Sequence, residues 1–84
     1  MLKDREVWEM ARKYKGIAVR YGENYPVYEC LFDGYHQCCV VLTDDPVSGV
    51  PNDHKAIAKS ISQRCFLVST KEALNKVFFN VVNS

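Results

Sequence analysis

The chain has 84 residues, of which 48% are hydrophobic and 25% charged, and its net charge is +1. This composition is typical of a globular protein and argues against disorder, and the length suits one domain with a modest core. No apolar run approaches the roughly 20 residues of a membrane span, and no apolar stretch typical of a signal peptide follows the N-terminus. We therefore expect a single cytoplasmic domain over residues 1–84.

The spacing of apolar residues and the positions of turn residues predict seven elements. In chain order they are a helix over 4–15, a strand over 17–21, a hairpin over 25–42, a helix from 52 or 53 to 63, a strand over 65–68 and a helix after a capping box at 69–72. Gly16 is expected to end the first helix in the C′ position. The order α-β-β-β-α-β-α predicts an α+β fold with a mostly antiparallel four-stranded sheet packed with helices.

The hairpin is expected to turn on Asp33-Gly34, because both central residues of a type I′ turn need a positive φ. A two-residue loop would pair Phe32 with Tyr35 and so assign each side chain to a face. One predicted face carries Tyr28, Cys30, Phe32, Tyr35, Cys39 and Val41. The other carries Tyr25, Val27, Leu31, Val40 and Leu42, together with Glu29 and His36.

Neither predicted face is polar, so a helix, a second copy of the chain or a partner must cover the second one. The face with Val27 is the more aliphatic, and Ile17, Val19 and Tyr21 join it from the preceding strand. We therefore expect it to form the main core. The Tyr28 face is left as the ambiguous one, although three helices could cover both faces.

Residues 21–54 contain no Lys or Arg, and they hold four of the five tyrosines. Tyrosine is enriched in protein interfaces, and acids around an aromatic patch would steer a partner with a basic surface. The sequence thus predicts recognition of a protein partner or of a second copy. The predicted contact residues are Tyr28, Phe32, Asp33, Tyr35, Asp44 and Asp45. A small adaptor, regulator or inhibitor fits this pattern, and size and charge alone suggest a phage- or mobile-element-encoded inhibitor of a nucleic-acid-handling host machine.

Nucleic-acid binding is the alternative, through stacking on the aromatic sheet face and phosphate contacts from basic helices. The residues predicted for this role are Arg12, Lys13, Arg20, Lys55 and Lys59. Residues 21–54, which contain the hairpin, carry Asp and Glu but no Lys or Arg. This acidic segment argues against nucleic-acid binding, because it would repel a polyanion.

The cysteines and histidines do not form a pattern typical of an active site. Cys38 and Cys39 would point to opposite faces, and Cys30 would meet Cys39 only diagonally, so we expect free thiols in a reducing compartment. His36 and Cys38 share a face with Glu29 across from the thiol, but strand neighbours two apart lie about 7 Å from each other. We expect no metal, no cofactor, no small-molecule substrate and no catalytic residue, and hence not an enzyme.

Overall fold

Helices and strands follow one another in the predicted order. In this computed structural model, which describes residues 2–44 and 50–84, the elements are α1 (Asp4–Lys13), β1 (Gly16–Arg20), β2 (Val27–Phe32), β3 (His36–Leu42), α2 (Asn52–Ile61), β4 (Cys65–Val68) and α3 (Lys71–Val82). The predicted α+β fold class is confirmed. No helix in the described part of the chain is long and apolar enough to cross a membrane.

The four strands form one mixed sheet in the order β1-β2-β3-β4. β1, β2 and β3 are successive antiparallel neighbours, whereas β4 runs parallel to β3. A parallel neighbour requires a crossover connection, and α2 lies within it. β1 and β4 are therefore the edges of the sheet.

The Asp33-Gly34 turn forms as predicted, but the two strands pair one residue out of the predicted register. Asp33 and Gly34 have φ values of 52° and 72°, and the Tyr35 N–H donates to the Phe32 carbonyl at 3.0 Å, as in a type I′ turn. The ladder, however, pairs Phe32 with His36. Tyr35 is thus an extra residue in the returning strand, as in a β-bulge. The predicted pairing of Phe32 with Tyr35 is wrong.

The inserted residue moves every later side chain of β3 to the opposite face of the sheet. The Tyr28 face therefore carries Cys38, Val40 and Leu42, and the Val27 face carries Cys39 and Val41. This reverses the predicted assignment of all five residues. The predicted placement of β1 is confirmed, because Ile17 lies opposite Leu31 and Arg20 lies opposite Tyr28.

The larger core lies on the Tyr28 face, where α1 and α3 cover the sheet, so the choice of the Val27 face as the main core is wrong. Its buried residues are Leu2, Val7, Ala11, Tyr28, Cys30, Phe32, Cys38, Val40, Leu42, Val68, Leu74, Phe78 and Val81. A smaller core lies between α2 and the Val27 face. Its buried residues are Val27, Cys39, Val41, Val50 and Ala58. Helices thus lie on both faces of the sheet.

Gly16 allows β1 to start close to Phe32, rather than ending α1 as predicted. Lys15 takes the left-handed conformation after the helix, with φ of 60°. A Cβ atom on Gly16 would lie 2.3 Å from Cδ1 of Phe32 and 2.5 Å from the carbonyl oxygen of Leu31. Such distances are far below van der Waals contact, so only glycine fits against this ring.

Candidate partner-binding surface

Two of the predicted contact residues, Tyr28 and Phe32, lie inside the main core and not on the surface. Each has only 1% of its surface exposed. The Phe32 ring packs edge-on against Phe78 of α3, with 4.9 Å between ring centroids. The predicted exposure of these two rings to a partner is therefore wrong, because α1 and α3 cover the Tyr28 face.

The remaining predicted contact residues do not form one patch. Asp33 and Tyr35 are exposed together at the hairpin turn. Asp44 is exposed beyond the other end of β3, a strand of seven residues, so roughly 20 Å separates it from the turn at about 3.3 Å per residue. Asp45 lies outside the described residues.

The residues of the nucleic-acid alternative are divided between the two faces of the sheet. Arg12 and Lys13 belong to α1, which packs on the Tyr28 face. Lys55 and Lys59 belong to α2, which packs on the Val27 face. The structure does not bring these four residues together into one basic surface.

Arg20, the fifth residue of that set, is engaged in a network within the fold. Its Nη1 atom lies 2.8 Å from both carboxylate oxygens of Asp4, and its Nη2 atom donates to the Glu23 carbonyl at 2.9 Å. The Tyr28 hydroxyl also donates to Asp4. The hydrogen bond from Tyr28, and then Arg20, hold the pKa of Asp4 below its ordinary value. Burial, followed by the hydrogen bond to Asp4, raises the pKa of Tyr28.

The cysteines form two cross-strand pairs, whereas the sequence predicted that Cys30 would meet Cys39 diagonally. Cys30 lies directly opposite Cys38 within the main core, and Cys39 lies beside Cys65 of β4 on the Val27 face. All four are free thiols. Burial raises the pKa of Cys39 to about 12, and it also raises the pKa of Cys65. Neutral, covered thiols are poor nucleophiles.

The combination of His36, Cys38 and Glu29 that the sequence placed on one face is also divided. Glu29 lies opposite Cys39 on the Val27 face, whereas Cys38 is fully buried on the Tyr28 face. The predicted position of Glu29 across from Cys38 is wrong for the same one-residue reason. Among the described residues, no three His, Cys, Asp or Glu side chains are grouped so that they could hold a metal ion.

A row of exposed apolar side chains lies instead on the Val27 face of β1. Ile17, Val19 and the following Tyr21 are 61%, 48% and 41% exposed, and we call these three residues the open β1 face. They are exposed because α2, the helix on this face, packs mainly against β2 and β3. A contiguous apolar patch that a folded chain leaves in water is typical of an interaction site.

No family model, no curated protein and no solved structure matches this chain. The function must therefore be inferred from the chemistry of the open β1 face and its surroundings.

A shallow cleft continues the open β1 face toward α2. It has a volume of about 300 Å³ and is lined by Tyr21, Gly22, Tyr25, Ile57 and Ser60. The lining is mostly apolar, with hydroxyl groups as its polar atoms. The Tyr25 ring is fixed by edge-on packing against His54, with 5.3 Å between ring centroids. A cleft of this kind can accept an apolar side chain from a partner.

The border of the open β1 face is acidic. Glu29 lies opposite Val19 on the neighbouring strand, and the Tyr21 hydroxyl donates to its carboxylate at 3.4 Å. The exposed Glu23 follows in the turn after β1. Strands β2 and β3 contain no Lys or Arg that could neutralise these acids.

Sequence reasoning missed this surface because it assigned Ile17, Val19 and Tyr21 to the main core. The β1 strand is the first in the sheet, and the chain order places a single helix, α2, between the hairpin and β4. Since strands are about 4.8 Å apart and a helix is about 10 Å wide, one helix covers about two strands. That argument indicates an uncovered edge strand on one face.

Proposed function

We propose that this protein is a small recognition protein that binds a protein partner through the open β1 face. The observation that carries the proposal is the row of three exposed apolar residues, Ile17, Val19 and Tyr21, beside an apolar cleft and an acidic border. Removing such a row from water gives a gross gain of about 25 cal/mol per Å² of apolar area, from which the loss of translational, rotational and side-chain freedom on binding is subtracted. The protein would act as an adaptor, regulator or inhibitor by occupying its partner's surface.

The chemistry of the surface specifies the partner in part. An aliphatic or aromatic group is needed against Ile17 and Val19, and a Lys or Arg side chain is needed near Glu29. A partner with a basic rim around an apolar centre satisfies both requirements. The acidic hairpin segment, which includes the exposed Asp33, would attract such a partner over longer distances and raise the association rate.

Binding without a reaction accounts for the other features of the molecule. The described residues that line the cleft beside the open β1 face are two tyrosines, a serine, a glycine and an isoleucine, with no carboxylate, imidazole or thiol among them. Cys30, Cys38 and Cys39 are buried and Cys65 is half-buried, and burial raises the pKa of Cys39 and of Cys65. A serine or tyrosine hydroxyl is a weak nucleophile unless an adjacent general base activates it.

The test is an affinity purification from the native host with the tagged protein and two lysine variants. Val19→Lys places a charge at the centre of the open β1 face. Phe79→Lys makes the same kind of change on α3, where Phe79 is 54% exposed on the opposite side of the sheet. Each purification is carried out with and without nuclease, and any captured protein is then purified and titrated against all three proteins.

We expect a stoichiometric protein partner that survives nuclease and binds Phe79→Lys as it binds the unmodified chain. Binding to Val19→Lys should be weaker by at least about 30-fold, the effect of losing a residue worth about 2 kcal/mol. Equal binding to both variants would place the contact elsewhere and refute the proposal. Loss of every partner on nuclease treatment would favour nucleic acid instead.

A further inference from the structure

The outer edge of β1 carries backbone groups that the fold leaves for another strand. The Tyr21 N–H donates to the Val27 carbonyl at 2.9 Å, which marks that pair as hydrogen-bonded. Hydrogen-bonded and non-hydrogen-bonded pairs alternate along an antiparallel ladder, so the backbone N–H and C=O groups of Ala18 and Arg20 point away from β2. Within residues 2–44 and 50–84, no backbone hydrogen bond outside the helices and strands reaches either of these two residues.

On the side of the sheet that α1 covers, this edge has a cleft and a partly exposed aromatic ring. A cleft of about 170 Å³ on the α1 side of the edge is lined by Trp8, Arg12, Gly16, Ile17 and Ala18. Gly16 and Ala18 are the smallest residues available at these positions, so the cleft can accept a large side chain. Trp8 projects from α1 beside it and is 45% exposed. The same edge thus carries both a protruding ring and a cleft.

We propose that the β1 edges of two copies pair antiparallel, so that the two sheets join into one continuous eight-stranded sheet. A twofold axis at Ala18 aligns Ala18 with its counterpart, Ile17 with Val19, and Gly16 with Arg20 of the second copy. The two copies then present aliphatic pairs on the Val27 face, and no like charges lie opposite each other. Arg20 brings no free charge to the contact, since Asp4 already pairs with it at 2.8 Å.

The dimensions of the fold favour a second copy over a single added strand. α1 and α3 share the cover of four strands on the Tyr28 face, with α1 on the β1 side and α3 on the β3 and β4 side. Each helix therefore spans about two strands, and joining two sheets at β1 places the two α1 helices about two strand spacings, or about 10 Å, apart. This is the usual packing distance between helices. The Trp8 ring of each copy would fill the space between them.

Pairing of this kind is isologous, because each copy contributes the same five-residue strand, Gly16–Arg20. It removes an exposed edge that would otherwise be open to unselective strand addition. It also places Ile17 and Val19 of both copies side by side on the Val27 face, which doubles the exposed aliphatic area of the open β1 face. The proposed dimer is tested separately from the partner in the proposed function, because its test uses the purified chain alone.

The test measures the molecular mass of the purified chain by light scattering and by sedimentation equilibrium over a concentration series. Two variants disrupt the edge in different ways. Ala18→Pro removes an outward N–H without removing a β1–β2 hydrogen bond, a placement that edge strands tolerate. Trp8→Lys removes the ring from the cleft. Phe79→Lys is the control, and circular dichroism establishes which variants are folded.

We expect twice the 9.6 kDa of the chain for the unmodified protein and the control, and 9.6 kDa for the two edge variants. A mass that stays at 9.6 kDa throughout the series for the unmodified protein would overturn the proposal. So would a folded edge variant that keeps the dimer mass. If Ala18→Pro does not fold, Trp8→Lys decides the outcome, because Trp8 lies outside the buried core.

Discussion

Replacing Phe32 with alanine separates a core role for the Tyr28 face from a binding role. The ring is 1% exposed, contacts Phe78, and lies against the backbone of Gly16. Removal of a buried phenylalanine costs about 3–5 kcal/mol, as lost transfer energy plus the cavity that remains. A domain of this size has a total stability of about 4–13 kcal/mol. The variant should therefore lose about a quarter or more of its stability.

Urea unfolding followed by circular dichroism measures this loss. With a slope of about 1 kcal/mol per molar urea for a small protein, the midpoint of Phe32→Ala should fall by about 3 M or more, or the variant should be unfolded without urea. Phe79→Ala is the matched control, because it deletes the same ring from an exposed position of α3. Its midpoint should change by less than about 1 M, as is usual for surface substitutions. A Phe32→Ala midpoint that matches this control would show that the ring lies outside the core.

Three further substitutions or treatments test other parts of the structure. Gly16→Ala should destabilise the fold by about 1–3 kcal/mol in the same urea assay, because the added methyl group overlaps the Phe32 ring. An unchanged midpoint would refute the close approach of the Gly16 backbone to this ring. Asp4→Asn should cost about 1–2 kcal/mol at neutral pH through the weakened charge-assisted bonds. Because the folded-state pKa of Asp4 is lowered below its ordinary 3.8, this contribution is present above pH 3.8 and is lost as the pH falls through the folded-state pKa. Urea midpoints of the two proteins should therefore converge in strong acid, and a constant difference would contradict the network. A thiol reagent should modify only Cys65 in the native protein, and slowly, because Cys65 is half-buried and burial raises its pKa. Mass spectrometry counts the modified thiols. Three or four modified thiols before unfolding would contradict the burial of the other cysteines.

The local elements could be predicted from the sequence because local signals specify them. The strand at Cys65–Val68 has its predicted bounds, and the helix predicted after the capping box forms as α3, which buries Leu74, Phe78 and Val81. The Thr70 side chain caps this helix by accepting a hydrogen bond from the Ala73 N–H at 3.1 Å. The capping residue is one position later than the box at 69–72 would place it. Such features depend on neighbouring residues, which the sequence shows directly.

The faces of the hairpin could not be predicted from the sequence because they depend on a one-residue insertion. The Asp33-Gly34 turn is compatible both with a tight two-residue connection and with one in which Tyr35 is extra. The apolar residues do not decide between the two, since β3 is apolar at five consecutive positions, Cys38 to Leu42. A strand that alternated between polar and apolar residues would have revealed the register. The prediction that Tyr28 and Phe32 contact a partner depended on the predicted register, because that register made the Val27 face the more aliphatic one and left the Tyr28 face as the one for a partner.

The division of the three helices between the two faces explains why the open β1 face is uncovered. With Cys38, Val40 and Leu42 on the Tyr28 face, that face has an apolar core wide enough for both α1 and α3. Only α2, a helix of ten residues, is left for the Val27 face, and it covers Cys39 and Val41 near the centre of the sheet. Ile17 and Val19 of the edge strand are then exposed, because none of the three helices in the described part of the chain covers them. An aliphatic edge strand is a liability in a protein that acts alone, so its presence favours a function in which another chain covers it.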